Sequence, residues 1–199
     1  NDILKSLSSK YIDNYNIKRI KKKIGNNKVR LIGMGGSILG AQAIYNFLKN
    51  KIKKKFIFIN NLEINQRIEK EKLTNLIISK SGNTLETIAN FNLILKNQKN
   101  NKNIIISENK NNFLNLLAKK LKAEIIEHKN YIGGRYSVLS EVGMLPAQLL
   151  GLNESKFKRF NNLIKSKYFI NELIYNVSFI SKCVLDGKKN SVILNYDEK

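Results

Sequence analysis

One stretch decides the fold: Leu76-Ile77-Ile78-Ser79-Lys80-Ser81-Gly82-Asn83-Thr84-Leu85-Glu86-Thr87. It begins as an apolar, β-branched run, which predicts a buried strand, and it resumes after a polar turn with helical periodicity. The apolar positions of that helix fall on one predicted core face: Leu85, Ile88, Ala89 and Leu95. Asn83 is a favourable N-cap, and Glu86 three residues later completes a capping box. The stretch therefore predicts a strand, a tight turn and a packed helix.

Three hydroxyl side chains, Ser79, Ser81 and Thr84, stand in the turn between that strand and that helix. The backbone N–H groups at a helix N-terminus are unpaired, and the helix dipole adds partial positive charge beside them. Hydroxyls and N–H groups in this arrangement suit a dianionic phosphate. The alternative is an ordinary strand–turn–helix corner whose polar side chains only face water.

A second turn of the same form lies nearer the N-terminus. A predicted strand at residues 28–32 is followed by Gly33-Met34-Gly35-Gly36-Ser37 and by an apolar helix at 38–48. The glycines let the backbone approach a ligand, and Ser37 adds a hydroxyl at the helix start. The dinucleotide pattern G-x-G-x-x-G fails at Ile38, and the G-K-[ST] of a Walker A loop is absent. We therefore expect no cofactor.

Strands and helices alternate through the first two thirds of the chain. The predicted strands lie at residues 28–32, 55–59, 76–78, 103–107 and 123–126, and the predicted helices at 38–48, 62–72, 85–95 and 111–121. This alternation predicts an α/β three-layer sandwich with a five-stranded, mostly parallel sheet, flanked by extra helices. Such sheets bind ligands at the carboxyl ends of their strands, where both hydroxyl-bearing turns are expected to lie.

A glycine turn that presents one arginine follows the sheet: Tyr131-Ile132-Gly133-Gly134-Arg135-Tyr136-Ser137. Ser137 is the expected N-cap of a helix at 138–150, and Pro146 inside that helix predicts a kink or a break. Arg135 stays charged and offers several donors to a developing oxyanion. The alternative is a structural arginine that clamps a loop.

The charge balance is strongly basic, with 36 Lys and Arg against 15 Asp and Glu and a net charge of +21. The lysines are spread along the chain among asparagines, and arginines, which read bases, are few, so we predict no nucleic-acid partner. No apolar run approaches the roughly 20 residues of a membrane helix. The single cysteine, Cys183, fits a reducing compartment, and we expect a cytoplasmic protein with no membrane association. The missing initiator Met suggests a fragment.

Three strings together resemble the glucose-6-phosphate isomerase family, which has the sugar-isomerase (SIS) fold. They are Gly33–Ser37, Ser79–Thr87, and Gly133–Ser140 with Gly143–Ala147, and the third is the most specific. The resemblance implies a flavodoxin-like SIS domain that binds a sugar phosphate at residues 25–150. A helical segment at 1–24 precedes it and connecting helices at 151–189 follow. A predicted strand at 190–196 would open a second, truncated SIS domain at 190–199.

The resemblance also implies an activity and a site. The activity is aldose–ketose isomerisation between glucose 6-phosphate and fructose 6-phosphate through a cis-enediol(ate), in glycolysis and gluconeogenesis, by a homodimer. Arg135 is the implied catalytic residue, near C1 and C2 of the sugar. The implied substrate-binding residues are Gly36, Ser37, Ser79, Lys80, Ser81, Thr84 and Gly134. The family's base and ring-opening groups match no residue here and are expected beyond Lys199.

Two alternatives remain open: another SIS-domain sugar-phosphate isomerase, such as a phosphoglucose/phosphomannose enzyme, and a non-catalytic module that senses a sugar phosphate. Other titratable residues offer little. His128, the only histidine, is expected to be a packing residue or a bystander, and Glu127 and Glu141 are expected in surface or helix-pair roles, although the family usually has a small or uncharged residue at Glu141. No cluster has metal-ligand spacing, so no metal is predicted.

Overall fold

The computed structural model describes residues 2–8, 10–62, 72–97, 101–159, 161–188 and 190. The chain forms two compact units, Asn1–Lys158 and Arg159–Lys199. The first unit contains the sheet and every predicted site residue. Most of the helix predicted at 62–72 and of the strand predicted at 190–196 lies outside the described residues.

Five strands and seven α-helices are described. The strands are Lys28–Gly33 (β1), Phe56–Ile59 (β2), Leu73–Ile78 (β3), Lys102–Ser107 (β4) and Glu124–Glu127 (β5). The α-helices are Ile17–Ile24 (α1), Leu39–Phe47 (α2), Leu85–Asn97 (α3), Phe113–Leu121 (α4), Glu141–Leu149 (α5), Asn161–Ile164 (α6) and Lys167–Leu185 (α7). Short 3₁₀ helices span Asp2–Leu7, Gly35–Ser37, Lys49–Lys51, Gly134–Leu139 and Glu154–Arg159. Among the described helices, none is both long and apolar enough to cross a membrane.

The sheet confirms the predicted fold class. Its strands run in the order β2-β1-β3-β4-β5, and all four neighbouring pairs are parallel. β3 lies at the centre, and all six of its residues are buried, as expected for a strand covered on both faces. It begins three residues before the predicted apolar run. Asn75, its third residue, donates from Nδ2 to Asn103 Oδ1 on β4 at 2.8 Å, while Asn75 Oδ1 is buried with no hydrogen-bond partner among the described residues.

Helices cover both faces of the sheet. Leu31, Leu76 and Ile104 point to one face, in a core that also contains residues of α1, α2 and α5. The alternate positions Ile77 and Ile105 point to the other face, where α3 and α4 supply the core. The period-2 alternation of each strand therefore builds two apolar layers, which are the two interfaces of the sandwich.

The packed face of α3 differs in part from the one predicted. Leu85 is 74% exposed, and α3 instead buries Thr87, Asn90, Phe91 and Ile94. The Asn90 side chain is satisfied by a 2.8 Å hydrogen bond to the carbonyl of Asn61. On α4 the buried residues are Leu114, Asn115 and Ala118, whereas Phe113 and Leu116 are exposed. Ile88 and Leu95 do pack against this core, as predicted, but apolar periodicity could not identify a buried asparagine on either helix.

Candidate functional site

β1 and β3 are neighbours in the sheet, and the chain adds β2 on one side of this pair and β4 and β5 on the other, so the pair is the topological switch point. The glycine turn 33–37 follows β1, and the serine turn 79–84 follows β3, so both lie at the carboxyl edge of this switch point. A cavity of about 380 Å³ opens there; it is lined by Met34, Gly36, Ser37, Lys80, Ser81, Thr84, Glu108, Gly134 and Arg135. The fold therefore brings together all three quoted strings around one cavity.

The serine turn has an internal hydrogen-bond network. The Ser79 side chain is buried, and its Oγ accepts from the Gly82 N–H at 3.2 Å and lies 2.8 Å from Thr84 Oγ1. Ser79 is therefore beneath the turn and not among the residues that line the cavity. Ser81 and Thr84 do line it. Ser79 shapes the turn and positions the Thr84 hydroxyl, while Ser81 Oγ accepts from the Asn83 N–H at 3.2 Å.

The N-terminus of α4 braces this turn from behind. The Leu114 N–H donates to the Gly82 carbonyl at 3.1 Å, and the Phe113 N–H donates to Asn83 Oδ1 at 2.9 Å. The prediction that Asn83 caps α3 was therefore wrong: its side chain accepts from the first N–H of α4, a helix whose own N-cap is Asn112. Gly82 has φ +68°, and a Cβ there would lie 2.1 Å from Asn112 Oδ1. The turn needs glycine at this position.

The glycine turn and the arginine turn touch through their backbones. A Cβ on Gly36 would lie 2.2 Å from the Gly134 carbonyl oxygen, so only glycine permits this approach. The Ser137 hydroxyl donates to the Gly134 carbonyl at 2.6 Å. Ser137 therefore lies inside the 3₁₀ helix Gly134–Leu139, and the prediction that it caps a helix at 138–150 was wrong.

The next helix, α5, begins later than predicted. It starts at Glu141 after Ser140, and it continues past Pro146 to Leu149, so the proline marks no break. Gly143 in its first turn lies against the backbone of Val138: a Cβ there would lie 2.0 Å from the Val138 carbonyl oxygen. This close approach fixes the arginine-bearing 3₁₀ helix against α5.

Two lining residues, Met34 and Glu108, are not among the predicted site residues, and Glu108 is the one that is charged. It follows β4, and its Oε1 lies 3.4 Å from Lys80 Nζ while its Oε2 lies 2.5 Å from Lys110 Nζ. Burial would raise the pKa of Glu108, but hydrogen bonding and attraction, from Lys110 first and then from Lys80, leave it below its ordinary value. Lys80 also donates to the Asn130 carbonyl at 2.8 Å. The sequence signal was a polar pair, Ser107-Glu108, at a strand's carboxyl end.

The remaining titratable candidates lie outside the cavity lining. His128 is 2% exposed, its Nδ1 lies 3.1 Å from the Lys129 carbonyl oxygen, and burial lowers its pKa. Glu127 is exposed at the end of β5. Glu141 is fully buried and accepts a 2.8 Å hydrogen bond from the Tyr11 hydroxyl, so of its two expected roles, surface residue or helix pair, the first was wrong. Within the described part of the chain, no group of three or more His, Cys, Asp or Glu side chains is arranged to hold a metal ion.

Comparison with known proteins identifies relatives by sequence. The family model for phosphoglucose isomerase matches residues 3–181. The glucose-6-phosphate isomerase of Methanocaldococcus jannaschii is 32% identical over 197 residues, which are 92% of this chain and 49% of that protein. The glucose-6-phosphate isomerase of Borreliella afzelii is 32% identical over 214 residues, covering 93% of this chain and 40% of that protein. The chain thus spans at most about half the length of these curated relatives.

Solved structures share the fold at lower identity. A hypothetical protein of Thermus thermophilus superposes with a TM-score of 0.64 and 23% identity, over 75% of this chain and 40% of that chain. The tagatose-6-phosphate ketose/aldose isomerase of Escherichia coli gives a TM-score of 0.56 and 16% identity, over 74% of this chain and 44% of that chain. At these identities the likeness concerns the fold alone.

Proposed function

Because the chain belongs to the phosphoglucose isomerase family, we propose that it supplies the sugar-phosphate clamp and one electrophile for the interconversion of glucose 6-phosphate and fructose 6-phosphate. The observation that carries this proposal is the cavity at the sheet's switch point. Hydroxyls of the serine turn line it together with the arginine of the Gly133-Gly134-Arg135 turn. The hydroxyls can donate hydrogen bonds to a phosphate, and the arginine can stabilise the negative charge of an enediolate intermediate.

The phosphate would bind on the serine-turn side of the cavity. Ser81 and Thr84 donate hydroxyl hydrogens there, Ser37 donates from the facing glycine turn, and the first turn of α3 adds its dipole. Ser79 and Lys80 act through the shape and charge of the turn. Hydrogen bonds to a charged group contribute about 1.5–3 kcal/mol each, so two hydroxyls are enough for a measurable specificity for phosphate.

Arg135 would lie beside C1 and C2 of the sugar. Isomerisation through a cis-enediol(ate) places negative charge on the oxygens of those carbons, and a fixed guanidinium stabilises that charge. Gly134, next to it, lets the sugar approach the backbone, since no atom lies within 4 Å of the position of a Cβ there. The arginine is thus an electrophile and not a base.

The proton transfer between C1 and C2 requires a base that the cavity lining does not offer. Glu108 is the carboxylate among the nine lining residues, and its two lysine partners lower its pKa, which weakens it as a base. We therefore propose that the base comes from a second SIS domain, of which residues 190–199 would be the beginning. The SIS domain of this chain would span residues 25–150. The 199-residue chain by itself then binds the sugar phosphate and does not turn it over.

The assembly and the compartment belong to the same proposal. We propose a homodimer in the cytoplasm, which sedimentation and cell fractionation can test. A sugar-phosphate-sensing module is the second candidate, and the weakened Glu108 carboxylate favours it over an enzyme whose base lies in this chain. Isomerase activity in a longer chain that includes these residues would exclude the sensor; saturable binding without activity there would favour it.

The test is calorimetric titration of the chain with fructose 6-phosphate and with fructose. We expect the phosphate ester to bind and the free sugar not to bind. Thr84→Val removes a lining hydroxyl and should weaken binding about 10-fold or more. Thr87→Val, one turn further along α3, is the matched control, because Thr87 Oγ1 is buried with no hydrogen-bond partner among the described residues. Equal binding of fructose, or equal effects of the two substitutions, would overturn the proposal.

A further inference from the structure

One N-terminal segment contacts both ends of the segment that carries Arg135, residues 129–141, which we call the excursion. We call residues 11–14 the strap. Lys129, just before the Gly133-Gly134 turn, donates from Nζ to the carbonyl of Ile12 in the strap at 3.1 Å. Glu141, just after the 3₁₀ helix, accepts from the hydroxyl of Tyr11 in the strap at 2.8 Å and 3.0 Å on its two oxygens. The strap therefore bridges residues 129 and 141 across the base of the excursion.

The Glu141 end of this bridge is deeply buried. Glu141 is 0% exposed and Tyr11 is 8% exposed. The backbone N–H of Asn14 adds a third hydrogen bond to the carboxylate, at 3.2 Å, and Glu141 is the first residue of α5, where the helix dipole favours a negative charge. Charge-assisted hydrogen bonds in a dry site are short and directional. This end therefore fixes the distance between the strap and the start of α5.

Lys158 fixes the strap from its other side. Its Nζ donates to the Tyr11 carbonyl at 3.1 Å, lies 3.6 Å from Asp13 Oδ2, and contacts Glu154. The Tyr11 ring lies between two ammonium groups, with Lys129 Nζ at 4.1 Å and Lys158 Nζ at 5.1 Å from its centroid. The strap is thus a braced element that can hold a neighbouring loop.

Backbone packing holds the middle of the excursion against the glycine turn and α5, but its own hydrogen bonds are mostly short-range. Its 3₁₀ helix contains short-range bonds such as Tyr136 N–H to the Gly133 carbonyl, and two glycines precede Arg135. The long-range bond from Ser137 to the Gly36 carbonyl is long, at 3.4 Å. Movement at either end would change where the guanidinium lies relative to the serine turn.

We propose that Tyr11 and Glu141 are positioning residues for Arg135, with Lys129 holding the other end of the same excursion. The strap sets the separation between the arginine and the phosphate-binding turn, and it thereby tunes recognition of the sugar and not of the phosphate. This inference rests on the function proposed above for the cavity. It assigns a role to a part of the chain that contributes no residue to the cavity lining.

A double-mutant cycle on the 199-residue chain tests the proposal, with Tyr11→Phe, Lys129→Met and Arg135→Ala as variants. We expect Tyr11→Phe and Lys129→Met each to weaken fructose 6-phosphate binding about fivefold and to leave inorganic phosphate binding within about twofold. In the Arg135→Ala background neither should change fructose 6-phosphate binding beyond about twofold. Tyr45→Phe is the matched control, since Tyr45 packs on Phe58 on the α2 side of the sheet.

Hydrogen exchange supplies a readout that needs no ligand. The amides of Ser140 and Met144 bond to the Ser137 and Ser140 carbonyls, and they should exchange about tenfold faster in Tyr11→Phe, while the amide of Ile77 in β3 does not change. Equal acceleration in β3, or none at residues 140–144, would overturn the proposal. So would a loss of affinity shared by both ligands or retained in the Arg135→Ala background.

The outcomes also separate this inference from the proposed function. If the wild-type chain binds fructose 6-phosphate and Thr84→Val weakens it, but Lys129→Met and Tyr11→Phe do not, only the strap is refuted. If the wild-type chain does not bind the sugar phosphate, both are refuted. Lys129→Met decides the question if Tyr11→Phe does not fold, because its hydrogen bond is exposed.

Discussion

Substituting Gly36 by alanine should separate the two turns that form the cavity. The added Cβ would lie 2.2 Å from the Gly134 carbonyl oxygen, 2.4 Å from its carbonyl carbon and 3.0 Å from the Arg135 nitrogen. All three atoms belong to the backbone, so no side-chain rotation can relieve the clash. To restore even a 3.0 Å contact with the oxygen, the backbones must separate by 0.8 Å.

Two effects follow from that displacement. Overpacking of this kind typically destabilises a protein by about 1–3 kcal/mol, and each kcal/mol lowers Tm by about 2–4 °C for a chain of this size. Because the displaced segment carries Arg135, we expect fructose 6-phosphate affinity to fall by about tenfold, which is about 1.4 kcal/mol. A misplacement near 1 Å is enough to disturb a fixed site.

The measurements are a thermal melt and a calorimetric titration of each variant. Gly134→Ala, on the other side of the same contact, serves as the comparison for stability, because nothing lies within 4 Å of the position of its Cβ. It should keep Tm within about 2 °C of the wild type. A Gly36→Ala protein with wild-type Tm and affinity would show that the two turns are not in contact in solution, and the cavity described here would be wrong.

Further predictions concern pH and the brace behind the serine turn. Burial raises the pKa of Asp13 to about 8, with further contributions from hydrogen bonding and repulsion by Glu154, so the contribution of Asp13 to stability is fully present below its ordinary pKa of about 4. That contribution should be lost as pH rises towards 8, by up to about 1.4 kcal/mol of unfolding free energy per pH unit. In urea denaturation, Asp13→Asn should make the free energy of unfolding less dependent on pH over this window. An unchanged pH profile in the variant would contradict the assignment. Asn83→Ala removes the acceptor of the Phe113 N–H at the start of α4 and should destabilise the chain by about 1 kcal/mol in urea, whereas no change would mean that water replaces this hydrogen bond. Ser79→Ala should lower both Tm and fructose 6-phosphate affinity because its hydroxyl holds the Gly82 N–H and Thr84, and a loss of affinity alone would instead indicate direct contact with the ligand.

The sequence was sufficient for the sheet and the two turns after β1 and β3, because those features depend on local patterns. The β-branched run of β3 and the alternation of elements predict a parallel sheet without knowledge of any long-range contact. Because the strands of a parallel sheet end at the same edge, this direction alone predicts that Gly36, Ser81 and Thr84 lie at the carboxyl edge. The strand order β2-β1-β3-β4-β5 was not predicted from the sequence.

Side chains whose partners are remote in sequence were predicted poorly. Asn83 has the properties of a cap, but its side chain accepts from the N–H of Phe113, 30 positions away. Glu141 has a charged side chain, which normally predicts exposure, yet its partner Tyr11 is 130 positions away. Glu108 has no local motif at all, and its role depends on where Lys80 lies. In each case the missing information was a tertiary contact.

The most direct test of the central claim is a titration of the ¹⁵N-labelled chain with fructose 6-phosphate, followed by the chemical shifts of its backbone amides. We expect saturable chemical-shift changes that are concentrated in the turns at residues 33–37, 79–85 and 133–137. Titration with fructose should not produce these shifts. Absence of saturable changes in those turns with fructose 6-phosphate would contradict the central claim. So would a maximum at the basic cavity in the first unit that is lined by Lys5, Lys10, Lys129 and Tyr131.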